Sequence, residues 1–198
     1  MIEAKGKRIG VLLAGGASKR MRQDKLKMLF EGQTLLDRGC QLLSALVANG
    51  LLDEFVVSGS IHRANTRIVN DQFLGQGPAG GILSTIKTLG LIEGDLVIAL
   101  PVDMPLLDIK HLSKLIEASC TNAQSFCYHN AWLPISIVIT ADLLHAIEKQ
   151  RNDQKGLSVK QILTLGKGSV LEPESATQLI NVNTPEQWHQ LSIIQLTE

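Results

Sequence analysis

Residues 9 to 25, Ile-Gly-Val-Leu-Leu-Ala-Gly-Gly-Ala-Ser-Lys-Arg-Met-Arg-Gln-Asp-Lys, bring glycines and cations together at the end of an apolar run. Gly15 and Gly16 permit backbone conformations closed to other residues and a close approach to a ligand. Successive N–H groups in such a turn can hold phosphate oxygens. Lys19, Arg20, Arg22 and Lys25 add positive side chains to the same loop. The chemistry this suits is the grip of a phosphorylated ligand. A tight turn leading into a solvated basic loop is the other reading of the same residues.

Two carboxylates complement the loop. Asp103 lies in Pro101-Val102-Asp103-Met104-Pro105, where a proline on each side restricts the backbone and so the direction of the carboxylate. Magnesium takes oxygen ligands and is typically held by one or two carboxylates plus substrate phosphates, so Asp103 suits a metal ligand. A turn aspartate bonding its own backbone is the alternative. Asp71, in Asn70-Asp71, ends another apolar run and reads either as a ligand carboxylate or as an ordinary turn pair. Lys25 follows Asp24 and reads as a phosphate contact or as half of a surface ion pair.

Other chemistries find little support. The histidines, His62, His111, His129, His145 and His189, form no metal spacing and partner no nucleophile. Ser18 and Ser58 have no base nearby in sequence, so nothing points to an acyl-enzyme. Aromatic residues make up 4% of the chain, which counts against a platform for single-stranded nucleic acid.

The elements that must position these residues follow from periodicity and punctuation. Ile9 to Leu13 reads as a strand buried on both faces. Thr34 caps a helix from about 34 to 48, Glu54 to Ser58 and Arg67 to Val69 are strands, and a helix carrying Ile82, Ile86 and Leu89 starts near Pro78. Asp95 to Leu100 is the next buried strand, and Asp108 caps a helix with Leu112, Leu115 and Ile116. Ser125 to Tyr128 and Ile135 to Ile139 read as strands, then a helix capped by Thr140. Asn152 to Gly156 reads as a polar loop, Val159 to Leu163 as a short helix, Ser169 to Leu171 and Ile180 to Val182 as short strands. Thr184-Pro185-Glu186-Gln187 forms a capping box ahead of a helix with Trp188 and Leu191. Strands alternating with helices predict a mostly parallel sheet covered on both faces, a three-layer α/β/α sandwich. Gly15, Asp71 and Asp103 then lie along one rim, the carboxyl ends of the strands, where open α/β sheets bind ligands.

Bulk properties agree. The 198 residues suit a single domain spanning 1–198. Lys+Arg and Asp+Glu both number 19, so no global field favours nucleic acid or an anionic membrane. Cys40, Cys120 and Cys127 match neither a disulfide framework nor a zinc spacing, and a reducing cytoplasm fits them. No stretch approaches the ~18 apolar residues of a membrane span.

Leu13-Ala14-Gly15-Gly16-Ala17-Ser18-Lys19-Arg20-Met21 with Asp24-Lys25 resembles the signature of the MobA-like nucleotidyltransferases. Gly77-Pro78-Ala79-Gly80-Gly81, Pro101-Val102-Asp103-Met104-Pro105 and Asn181-Val182-Asn183-Thr184-Pro185 resemble three further segments of that family, the last favouring its guanylyl branch. The resemblance implies a Rossmann-like fold of the nucleotide-diphospho-sugar transferase type. It implies transfer of GMP from GTP to molybdopterin with release of pyrophosphate, and Mg2+ as cofactor. Transient contacts with the proteins that supply molybdopterin and receive the product follow from the same resemblance. It puts Leu13, Ala14, Gly15, Ser58 and Asp71 on the nucleotide and Lys25 on its phosphates. It makes Lys25 and Asp103 catalytic, with Asp103 on the metal and Asn183 on the metal or acceptor side. Four residues depart from the pattern. Arg22 stands where glycine is usual, Ser58 where asparagine is, Leu133 where histidine precedes Pro134, and Leu157 where a basic residue is common. A CTP-dependent or sugar-phosphate transferase of the same family, and a non-catalytic nucleotide-binding protein, are the competing readings. The Ala14-Gly15-Gly16-Ala17-Ser18 loop does not fit Gly-x-Gly-x-x-Gly, and no Walker Gly-Lys-Ser/Thr occurs.

Overall fold

The computed structural model describes residues 6–15, 25–61, 63–150 and 156–194. Strands β1 (Arg8–Leu13), β2 (Leu29–Phe30) and β3 (Gln33–Thr34) precede helix α1 (Leu35–Ala48). Strands β4 (Glu54–Ser58) and β5 (Ile68–Val69) lead to α2 (Gly77–Leu89), then β6 (Leu96–Pro101) and α3 (Ile109–Asn122). Strands β7 (Phe126–Tyr128) and β8 (Ala131–Val138) are followed by α4 (Ala141–Lys149) and α5 (Val159–Leu165), then β9 (Ser169–Leu171) and α6 (Pro185–Ile194).

Seven strands form one sheet in the order β5-β4-β1-β6-β8-β7-β9, with β2 and β3 as a separate hairpin. Every pairing in the large sheet is parallel except those of β8, which runs against both β6 and β7. The expected mostly parallel α/β sandwich is therefore observed. Alternation along β1 splits the core into two layers. Ile9, Val11 and Leu13 pack on one face with Ile82, Leu83 and Ile86 of α2 and Leu143 and Ile147 of α4. Leu12 packs on the other with Leu43 and Leu46 of α1 and Leu112 and Leu115 of α3.

The expected caps form. Thr34 Oγ1 accepts from Asp37 N, Asp108 Oδ1 from His111 N and Thr140 Oγ1 from Leu143 N, each satisfying a helix N–H that would otherwise lack a partner. Two expectations give way. Ile180 to Val182 is not a strand: Ile180 N closes a tight turn onto Thr177 O, and Val182 N donates to Asp103 O at 2.9 Å. Its apolar residues instead pack in a third cluster with Phe30, Leu35, Leu191 and Trp188. Strand β8 also starts earlier than Ile135, because Asn130 takes a φ of 59° and turns the chain so that Tyr128 pairs with Ala131.

Candidate active site

The parallel register lines the site up. Leu13 pairs with Ser58 on one side and Pro101 on the other, and Ser58 pairs with Val69. Val69, Ser58, Leu13 and Pro101 thus form one row at the carboxyl rim, three strand spacings or roughly 14 Å across. Asp71, Gly15 and Asp103 each lie two residues beyond their member of the row. The two carboxylates therefore flank the glycine from opposite ends and do not meet.

One end of the row is a cavity of about 340 Å³ lined by Leu13, Gly15, Ser58, Gly59, Asp71, Gly75, Gly77, Pro78 and Gly81. Its walls are largely bare backbone, with Ser58 and Asp71 as the polar side chains. The close packing has steric causes. A Cβ on Gly81 would stand 2.7 Å from Ser58 Oγ and 2.8 Å from Leu13 Cδ2, and one on Gly80 would stand 2.6 Å from Phe73 O. Gly59, at φ 145°, sits where a Cβ would come within 3.0 Å of Ala14 C and Gly15 N. Among the described residues Gly15 itself has no would-be contact nearer than 3.9 Å. Ala14 is buried and its N–H donates to Ser58 O at 2.9 Å, which joins the ends of β1 and β4. Asp71 Oδ1 accepts from Phe73 N at 2.8 Å and from Ser84 Oγ at 3.0 Å, so one carboxylate edge is held by the protein. A glycine-walled slot with a carboxylate held on one edge suits a heterocycle carrying hydrogen-bond donors.

The other end is a charged cluster. Lys25 Nζ donates to Asp103 Oδ2 at 3.0 Å and to Asn183 Oδ1 at 2.6 Å. The Lys25 and Asp103 side chains are only 14% and 18% exposed. With its amide oriented by the surrounding hydrogen bonds, Asn181 Nδ2 donates to Asp103 Oδ1 and, at 3.1 Å, to Asp103 O. The segment carrying both asparagines is held by α6, whose capping box forms as Gln187 N donates to Thr184 Oγ1 and Thr184 N to Gln187 Oε1, an oxygen that also accepts from Asn183 N at 2.7 Å. Trp188 packs edge-on against Phe30 at 6.0 Å, which fixes that helix to the β2–β3 hairpin.

Among the described residues no group of three or more His, Cys, Asp or Glu could hold a metal. The donor set that does exist is one carboxylate and one amide oxygen meeting at a single cationic atom. That is a partial shell of the kind magnesium completes with phosphates and water, so the residues fit the ion. Tyr128, also at a strand end on this rim, is no acid–base candidate. Burial drives its hydroxyl far above the ordinary range, and that hydroxyl donates to His111 O at 2.8 Å.

The structure thus brings Leu13, Gly15, Ser58 and Asp71 together at the cavity, and Lys25, Asp103 and Asn183 together in the cluster. Gly16, Ser18, Lys19, Arg20, Arg22, Asp24 and His62 lie outside the described residues, as does most of the expected loop from Asn152. Sequence reasoning gave no role to Asn181, Ser84 or the cavity glycines beyond Gly15. For Asn181 a signal existed: two asparagines spaced i, i+2 in an extended segment face one way.

The chain also matches known proteins. Residues 10–168 match the model of the MobA-like NTP transferase domain. A molybdenum cofactor guanylyltransferase of Xanthomonas euvesicatoria pv. vesicatoria is 31% identical over 186 residues, covering 92% of this chain and 93% of that protein. The purine catabolism protein PucB of Bacillus subtilis is 24% identical over 197 residues, covering 91% and 93%. Among solved structures, a nucleotidyl transferase from Methanothermobacter superposes with a TM-score of 0.67 at 14% identity over 97% of this chain and 99% of that one.

Proposed function

The chain belongs to the MobA-like NTP transferase family, and we propose that it transfers GMP from GTP to the terminal phosphate of molybdopterin, releasing pyrophosphate. We take residues 1–198 as one such domain, acting in the cytoplasm. The observation that carries the reading is the shared register row. A glycine-walled slot over the ends of β5, β4 and β1 adjoins a cation-bearing cluster beyond the end of β6, and the row from Val69 to Pro101 spans roughly 14 Å, a length that suits the base toward one end and the phosphates toward the other.

In this reading the guanine lies in the slot between Leu13, Gly15 and α2, and Asp71 accepts from its donor edge. Ser58 borders the same slot. Lys25 turns its ammonium to the leaving β- and γ-phosphates, and Asp103 with Asn183 holds magnesium. Bound there, magnesium supplies positive charge that offsets what develops on the departing pyrophosphate. The acceptor phosphate attacks the α-phosphorus in line, so the enzyme needs no nucleophile of its own. Its contribution is positioning and charge neutralisation.

The test is pyrophosphate release with magnesium and molybdopterin as acceptor, with GTP, CTP and ATP offered in turn. Turnover with GTP alone supports the proposal. Turnover with CTP in place of GTP makes the chain a cytidylyltransferase, and nucleotide binding without turnover makes it a binding protein.

A further inference from the structure

Lys25 is asked to serve two sites. The geometry above puts its ammonium between Asp103 Oδ2 at 3.0 Å and Asn183 Oδ1 at 2.6 Å, which are the two oxygens the proposed function gives to the metal. We infer that the Lys25 ammonium is the resident cation of the Asp103–Asn183 site in the nucleotide-free protein. It leaves for the nucleotide phosphates only as a divalent ion takes its position between the same two oxygens. The inference rests on reading Asp103 as the metal-binding carboxylate.

Three observations support the exchange. First, the pair is partly buried, with side chains 14% and 18% exposed, so withdrawing the ammonium without a replacement leaves a poorly solvated carboxylate uncompensated. Second, Asp103 cannot follow Lys25. Its Oδ1 and its carbonyl are held by Asn181, and the carbonyl also accepts from Val182 N. Oδ2 is therefore the oxygen left to change partners. Third, the arriving ligand carries what both sides of the exchange require. A metal–triphosphate complex brings anionic oxygens for the lysine and a divalent cation for the oxygens that the lysine gives up. A bare divalent ion brings only the second. It displaces the ammonium without bringing anionic oxygens of its own to receive it, so the site binds metal less tightly alone than with nucleotide. This is a coupling free energy between two ligands carried by one side chain.

The experiment uses Mn2+ as probe, its free concentration read by electron paramagnetic resonance, on the full chain without nucleotide. Lys25→Met is expected to bind Mn2+ at least about tenfold more tightly than the unmodified protein, because the competitor is gone and the carboxylate remains. Adding Asp103→Asn to Lys25→Met is expected to abolish the gain. No gain in Lys25→Met overturns the exchange, as does a gain that survives Asp103→Asn.

A second measurement needs no variant. The rate of Lys25 acetylation by an acylating reagent, read by peptide mass spectrometry, is expected to rise several-fold when Mn2+ is added to the nucleotide-free protein. An unchanged rate at saturating Mn2+ overturns the exchange. Failure of the underlying metal reading looks different: Mn2+ in the presence of GTP would then bind Asp103→Asn as tightly as it binds the unmodified protein.

Discussion

The backbone N–H of Val182 donates to the carbonyl oxygen of Asp103 at 2.9 Å, joining the C-terminal segment to the loop that follows β6. With Asn181 of the C-terminal segment also donating to Asp103, the orientation of the Asp103 carboxylate depends on residues far away in sequence. Phe30, Leu35, Leu191 and Trp188 hold that segment in place from below.

Asn181→Ala should therefore act as a positioning lesion. It removes both hydrogen bonds that the Asn181 amide donates to Asp103 while leaving the slot at the other end of the row intact. Loss of charge-assisted hydrogen bonds of this kind is worth roughly 1.5–3 kcal/mol, so kcat is expected to fall about ten- to a hundredfold with the KM for GTP little changed. Asp103→Ala, which removes the carboxylate itself, should nearly abolish turnover. Steady-state kinetics with magnesium check both. An Asn181→Ala enzyme with normal kcat and a raised KM would count against the positioning role.

Ser84 gives the opposite signature. It is fully buried, its hydroxyl donates to Asp71 Oδ1 at 3.0 Å, and it accepts from Gln72 N at 2.8 Å. Ser84→Ala leaves the Gln72 N–H without its acceptor and Asp71 with one donor fewer, a loss of about 1–3 kcal/mol. The KM for GTP should rise about tenfold with kcat nearly constant. Calorimetric titration of GTP separates this from a general loss of stability.

How far these relationships were legible in the sequence depends on their range. The caps at Thr34, Asp108 and Thr140 are local hydrogen bonds and were readable three residues away. The strand ends carrying Gly15, Asp71 and Asp103 were readable as apolar runs reaching a turn, and parallel pairing then put them on one rim. Ile180 to Val182 misled because apolar residues packing against Phe30 and Trp188 look like those of a short strand. The β2–β3 hairpin escaped notice because its strands are two residues long and its turn, Glu31-Gly32, lacks the Asn-Gly or Asp-Gly signal. The i, i+2 spacing hints that Asn181 faces the same way as Asn183, but its bonds to Asp103 and the tight contacts of Gly80 and Gly81 join separate segments, which spacing alone does not reveal.

Cys127 sets an alkaline limit. It is 1% exposed in β7, and burial pushes its thiol up to about 11. An unfolded chain releases this proton near the ordinary thiol pKa of about 8.5–9, and the folded chain holds it longer. The unfolded state therefore binds fewer protons in that window. Stability is unaffected below it and falls as pH rises from about 9 toward 11, by roughly 3 kcal/mol for this group. Urea midpoints measured across that range should decline, and Cys127→Ala should flatten the decline. At neutral pH a thiol reagent should modify half-buried Cys120 well before Cys127 or Cys40.

Gly80→Ala tests whether the nucleotide slot depends on how closely α2 approaches the strand ends. In an exposed helix interior this change is favourable by up to about 1 kcal/mol. Here the added Cβ would stand 2.6 Å from Phe73 O and 3.1 Å from each Asp71 carboxylate oxygen. The first contact is with backbone, which cannot rotate away, so the helix or the Asp71 loop must shift. Overpacking of this kind costs about 1–3 kcal/mol, which exceeds the propensity gain. Gly80→Ala is expected to lower the unfolding midpoint and to weaken GTP binding at the same time, because the loop that must move carries Asp71. Gly90→Ala makes the comparison. Gly90 caps α2 at φ 61° with no atom of the described residues within 4 Å of a would-be Cβ, so its replacement should cost stability through backbone strain and leave the GTP affinity as it was. Equal effects of the two substitutions on GTP affinity would show that the slot does not depend on the close approach of α2.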